Sequence, residues 1–160
     1  MRIRIFNGTS WQRHHTKAFL VWFEGKYLQT LARRDLVVTV KIYKDRKNIS
    51  KDDLAYCDHV ERNHCVIEIY APANMTYFRF LTHLAHESVH MKQYFTGELR
   101  DTTKGTVYNR KLYPDDGFDY WNAEWEVEAM GREMALTKLY AHEAGIYEAV
   151  FTRAVKAVVN

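Results

Sequence analysis

The stretch Asn74-Met75-Thr76-Tyr77-Phe78-Arg79-Phe80-Leu81-Thr82-His83-Leu84-Ala85-His86-Glu87-Ser88-Val89-His90-Met91-Lys92-Gln93-Tyr94-Phe95-Thr96-Gly97 decides how this chain is read. Its pattern predicts an amphipathic helix, capped by Asn74 and stopped by Gly97. Phe78, Leu81, Leu84, Ala85, Ser88 and Phe95 form one apolar or small face, with the histidines on the other. Residues four apart on an α-helix differ by about 40° around the axis. His86 and His90 can therefore offer two imidazoles to one metal ion. Glu87 falls on the adjoining flank, where a carboxylate can hold and deprotonate a metal-bound water. This His-Glu-x-x-His pattern is the working core of a zinc-dependent peptidase.

A catalytic zinc usually takes three protein ligands and keeps one position open. The place where a metzincin pattern would put its third histidine, six residues after His90, holds Thr96, so a glutamate is the expected ligand. The segment Trp121-Asn122-Ala123-Glu124-Trp125-Glu126-Val127-Glu128-Ala129 reads as part of a second helix and supplies three of them. The residues by themselves leave Glu124, Glu126 and Glu128 all open.

Two blocks carry a resemblance. Leu84 to Tyr94, followed by Gly97-Glu98-Leu99, and then Trp125-Glu126-Val127-Glu128-Ala129, resemble small gluzincin-like metallopeptidases encoded by phages and bacteria. The resemblance spans Leu84 to Ala129 and implies a zincin-like fold with an active-site helix and a second, Glu-bearing helix. It implies Zn2+ as cofactor, His86 and His90 as ligands and Glu87 as general base. Gluzincins place the ligand at the start of a Glu-x-x-small-Asp/Asn pattern. That implies Glu126 as third ligand, with Glu128 the alternative and Glu124 behind it. Met130 departs from the Asp/Asn of that pattern, so the usual partner of a ligand histidine is missing or replaced. Glu124 likewise stands where family members often carry proline.

Around these blocks the chain predicts an α+β domain with a small, mostly antiparallel or mixed sheet packed on long helices. Met1–Phe6, Leu36–Tyr43 and Cys65–Tyr70 alternate or are β-branched and predict strands; His15–Ala32 predicts a helix. Lys44–Asp53 reads as a loop, Leu99–Tyr113 as a short irregular hairpin around Gly105, and Pro114–Gly117 as a turn. A helix is expected from Tyr120 or Trp121 to Ala144, and a last one over Ile146–Val158. One domain of 160 residues then divides into an N-terminal helix-and-sheet region (1–72), the His-Glu-x-x-His helix (73–97), a hairpin (98–120) and the C-terminal helices (121–160).

With 47% hydrophobic and 14% aromatic residues the chain should fold rather than stay disordered. A net charge of +3 is too small to imply a nucleic-acid or membrane partner without a localised patch. A peptide or protein substrate is the expected partner. The two cysteines, Cys57 and Cys65, suit a reducing cytosol, and Met1–Phe6 does not resemble a signal peptide. The expected location is cytoplasmic, in the host cytoplasm if the protein is phage-encoded.

Simpler explanations compete for several residues. His83, one turn before His86, could extend the site but more simply sits beside it. Cys57, His59, His64 and Cys65 invite a second, structural zinc, against a buried-strand reading of Cys65. Arg132, Tyr140, His142 and Tyr147 are candidates for stabilising an oxyanion by residue type alone. The rival to a peptidase is a non-catalytic zinc-binding regulatory module on a zincin scaffold, which Met130 favours and the intact Glu87 opposes.

Overall fold

The computed structural model describes residues 1–49, 54–114 and 119–156 of the chain. The described residues form an α+β structure with four helices, a four-stranded mixed sheet and a separate three-stranded antiparallel sheet. In the larger sheet β1 (Arg2–Asn7), β2 (Val37–Tyr43), β4 (His64–Tyr70) and β3 (Ala55–Glu61) lie side by side in that order. The β1–β2 and β2–β4 pairs are parallel and the β3–β4 pair antiparallel. Val38, Val40 and Ile42 on β2 and Cys65, Ile67 and Ile69 on β4 alternate along their strands and are buried on the face turned to the core, while Thr39, Lys41, His64, Val66 and Glu68 take the other face. Buried Glu68 is neutralised by its cross-strand partner Lys41, whose ammonium lies 2.9 Å away.

Helix α1 (Ser10–Tyr27) connects β1 to β2 and packs Phe19, Leu20 and Phe23 into the core. It starts earlier than the expected His15. Thr9 and Gln12 form a capping box there, and the first turns bury the polar Gln12, His15 and Thr16. Those residues hide the helix from a hydrophobic pattern. It stops at Tyr27, and a 3-10 turn over Gln29–Leu31 takes up the rest of the expected span.

Strand β3 is the element the sequence reading missed. Its residues Ala-Tyr-Cys-Asp-His-Val-Glu carry weak alternation, it forms the sheet edge, and its pairing slips between His59 and Glu61. Of the expected 44–53 loop, residues 44–49 contain a 3-10 turn over Arg46–Asn48, and 50–53 lie outside the described residues. The expected turn at 114–117 falls outside them from 115 on, as do residues 157–158 of the last helix.

Helix α2 (Tyr77–Thr96) runs through the centre of the molecule. Thr76 rather than Asn74 is its cap, its hydroxyl accepting from the Arg79 amide at 3.2 Å. Gly97 ends it in the left-handed conformation, φ +78°, as its position predicts. Beyond it, β5 (Leu99–Thr102), β6 (Gly105–Tyr108) and β7 (Lys111–Tyr113) form a three-stranded meander instead of a single irregular hairpin. The turn before β7 holds Asn109 and Arg110 at φ +47° and +71°. Two consecutive left-handed residues suit a tight hairpin turn, but arginine gives no such signal.

Gly105 has φ +122°, and a Cβ there would stand 2.2 Å from the Tyr113 carbonyl oxygen. Gly105→Ala is therefore expected to cost at least about 2 kcal/mol, read as a lower denaturation midpoint. Helices α3 (Glu124–Glu143) and α4 (Tyr147–Lys156) follow. A 3-10 turn over Tyr120–Asn122 precedes α3, so that helix begins a few residues later than expected. Among the described residues, no helix is long and apolar enough to cross a membrane.

Candidate metal centre

Helices α2 and α3 pack against each other, and where they meet His86, His90 and Glu126 converge. The two imidazole Nε2 atoms are 3.1 Å apart. Glu126 Oε2 is 3.4 Å from His86 Nε2, and its Oε1 is 3.3 Å from His90 Nε2. Glu126 is 2% exposed, sunk between the helices, and it lies in the first turn of α3, where the helix dipole favours a carboxylate.

Helical geometry separates the three glutamates left open by the sequence. Residues two apart on a helix point about 200° from each other. Glu128 therefore turns away, accepting from Gln93 at 2.9 Å, the Tyr108 hydroxyl at 2.7 Å and Arg132 at 3.0 Å. Glu124 is exposed and pairs with Lys111 at 2.9 Å.

The outer nitrogens of both histidines are held as well. His90 Nδ1 is 2.9 Å from Gln93 Oε1. Gln93 is fully buried, and its amide nitrogen donates to Glu128 and to the Trp125 carbonyl, so its oxygen is the atom left for His90. His86 Nδ1 is 2.8 Å from Glu133 Oε2. A carboxylate and an amide oxygen both accept, so each Nδ1 carries the hydrogen and each Nε2 presents a lone pair inward. Two nitrogen lone pairs and a carboxylate then face one another in a buried space. Only protons or a cation can reconcile three such acceptors, and the donor set fits a metal ion. His86, His90 and Glu126 thus form a group that could hold one.

Glu133 and Gln93 are the residues that sequence reasoning missed. Glu133 lies two helical turns beyond Glu126 and occupies the role that Met130 cannot fill. Glu133→Gln is expected to weaken metal binding by about 10–100-fold, measured by competition with a chromogenic chelator.

Without a cation, protons stand in for it. Burial disfavours the His86 imidazolium, but Glu126 and Glu133 overcome this and carry its pKa up to about 10. His90 is likewise raised by Glu126 and Glu87 against its burial. Burial pushes the Glu126 carboxyl up, yet the two histidines hold it well below the usual carboxylate range. A raised histidine stabilises the metal-free fold fully below its ordinary pKa of 6.5, and that contribution disappears as the pH climbs toward about 10. The lowered Glu126 contributes above its ordinary 4.5 and loses this in acid. In chelator, the melting midpoint should therefore fall from about pH 7 to about pH 10. Metal should restore it at the alkaline end and release protons on binding.

Glu87 is 4% exposed and lines the same cleft as the two histidines, on the flank predicted for it. Tyr120 also borders the cleft, and its hydroxyl helps to hold the Glu126 carboxyl low. His83 lines it without joining the triad, and burial lowers its pKa.

The four oxyanion candidates do not line the cleft. Arg132 is engaged by Glu128, Tyr140 hydrogen-bonds to His15 at 2.9 Å, and His142 and Tyr147 are exposed. Nor do Cys57, His59, His64 and Cys65 form a second metal group among the described residues. His64 bonds to Thr39 at 3.0 Å, and the His59 ring stacks on Tyr94. Burial, and a hydrogen bond with Cys65, push the Cys57 thiol up.

The cleft has a volume of about 810 Å³, the size of a site for a small ligand or a short peptide segment. Leu54 and, on strand β3, Ala55 to Asp58 border it, and Tyr120, Trp121 and Met130 border it from the α3 side. Comparison of the chain with protein-family models, curated proteins and solved structures returns no match.

Proposed function

We propose that the protein is a zinc-dependent peptidase of zincin-like organisation, with His86, His90 and Glu126 as ligands and Glu87 as general base. The observation that carries this reading is the buried convergence of the three donors with Glu87 beside them in one open cleft. Two nitrogens and one carboxylate oxygen are the ligand set of a catalytic zinc with a position to spare. When bound, zinc supplies a Lewis acid that lowers the pKa of water and polarises a carbonyl.

The chain's own residues supply the rest. Glu87 accepts a proton from the attacking water and returns it to the nitrogen of the departing amine. Glu133 and Gln93 hold the imidazole rings by their Nδ1 hydrogens. Tyr120, which borders the same cleft, offers a hydroxyl to the charge that develops on the carbonyl oxygen. Strand β3 ends the sheet, and among the described residues no strand pairs with its outer side. An extended peptide can add its backbone there, which favours peptides over other hydrolysable substrates.

The rival reading, a non-catalytic zinc-binding module, drew on Met130. Glu133 at His86 Nδ1 supplies the carboxylate that Met130 lacks and supports the catalytic reading. The test is a digest of a broad peptide library by the zinc-loaded protein, beside chelator-treated protein and Glu87→Gln. Cleavage by the first alone supports the peptidase; an untouched library overturns it.

A further inference from the structure

The cleft has a charge that the whole chain does not. The protein has 20 acidic and 23 basic residues. Five of the acidic ones line the cleft (Asp58, Glu87, Asp101, Glu126 and Glu133) and, among the described residues, no lysine or arginine does. The nearby cations are each paired with another carboxylate: Lys41, which also acts on Asp58, with Glu68 at 2.9 Å, Lys92 with Glu98 at 2.7 Å, and Arg132 with Glu128. Even a divalent ion on the triad would leave these side chains at about −3.

The excess is localised. Asp58, on β3, and Asp101, on β5, both act on Tyr94, one helical turn beyond His90. Asp101 is fixed through both oxygens, accepting from the Tyr94 hydroxyl at 3.0 Å and from Thr106 at 3.2 Å. This is also the last turn of α2, where the helix dipole adds negative potential. The other border is apolar: Tyr120 is 51% and Trp121 69% exposed.

We propose that the cleft selects a cationic peptide, whose lysine or arginine side chain reaches Asp58 and Asp101 at the C-terminal end of α2 while an apolar neighbour lies on Tyr120 and Trp121. This rests on the peptidase reading and names its substrate class. A charge-lined cleft concentrates ligands of opposite sign and rejects like charge.

The test separates binding from cleavage. Zinc-loaded Glu87→Gln is titrated into two fluorescein-labelled peptides, alike except that one carries lysines where the other carries glutamates. Fluorescence anisotropy should show the lysine peptide binding about tenfold tighter, with the advantage shrinking in salt. Adding Asp58→Asn and Asp101→Asn should abolish most of that preference. If that variant fails to fold, the lysine-against-glutamate comparison and its salt dependence decide. Equal affinities, a preference for glutamate, or no binding of either peptide overturns the proposal. Cleavage of a library by the wild type with no enrichment of basic residues overturns this inference alone. Selective binding with no cleavage by the wild type overturns the peptidase reading alone.

Discussion

Glu87→Gln is expected to retain about one zinc ion per chain and to lose about two to four orders of magnitude in peptide hydrolysis. Holding a metal and using it fall to different side chains. Glu87 is not among the three converging donors, so an amide at its place leaves His86, His90 and Glu126 intact. The amide cannot accept the proton that the carboxylate accepts. The substitution is nearly isosteric and replaces a buried charge, so the fold should survive. Zinc content by atomic absorption and turnover of a fluorogenic peptide measure the two halves separately. Loss of metal together with activity would place Glu87 among the ligands. Undiminished hydrolysis would remove it from the chemistry.

Glu126→Gln should have the opposite signature, losing the metal itself by more than the roughly 10–100-fold expected when a residue behind a ligand is changed. It removes the carboxylate that faces both histidines at 3.3 and 3.4 Å. The neighbouring variants are the controls. Glu124→Gln changes exposed interactions with Tyr113 and Lys111, so metal affinity and stability should stay near the wild type. Glu128→Gln loosens the bonds from Gln93, Tyr108 and Arg132. It should lower the melting midpoint while keeping the metal, with a secondary effect through Gln93 on His90. Equal zinc loss in all three variants would refute the assignment of Glu126.

The metal-free protein carries its own signature in this comparison. Glu126 is the carboxylate that raises the proton affinity of both His86 and His90 most, beside Glu133 at His86 and Glu87 at both. In chelator, Glu126→Gln should therefore flatten the alkaline decline in stability that the wild type shows. A structural glutamate remote from the histidines would not produce that change.

Some of the architecture was legible residue by residue. Strands β2 and β4 announce themselves through β-branched and apolar residues at every second position, because the face turned to the core needs apolar side chains. The span of α2 follows from its apolar spacing and Gly97. Elements whose register depends on partners were harder. Edge strand β3 has the weak pattern of a half-covered element, and the left-handed turn at Asn109–Arg110 is imposed by the meander that closes over it. The early start of α1 rests on capping and buried polar residues, which a hydrophobic period does not register.

For the site, the sequence by itself determined the half that one helix can supply. His86, Glu87 and His90 are fixed relative to one another by 3.6 residues per turn, whatever the rest of the chain does. It also narrowed the third donor to three glutamates within a single segment. Choosing among them required the packing angle and rotation of α3 against α2, which depend on side chains far from the motif. Tertiary structure brought Glu126 to the histidines, turned Glu128 away toward Gln93 and Tyr108, and placed Glu133 behind His86. It also gathered Asp58 and Asp101, distant in sequence, around Tyr94. Local spacing sets local direction, but only the packing of separate elements sets which charges meet.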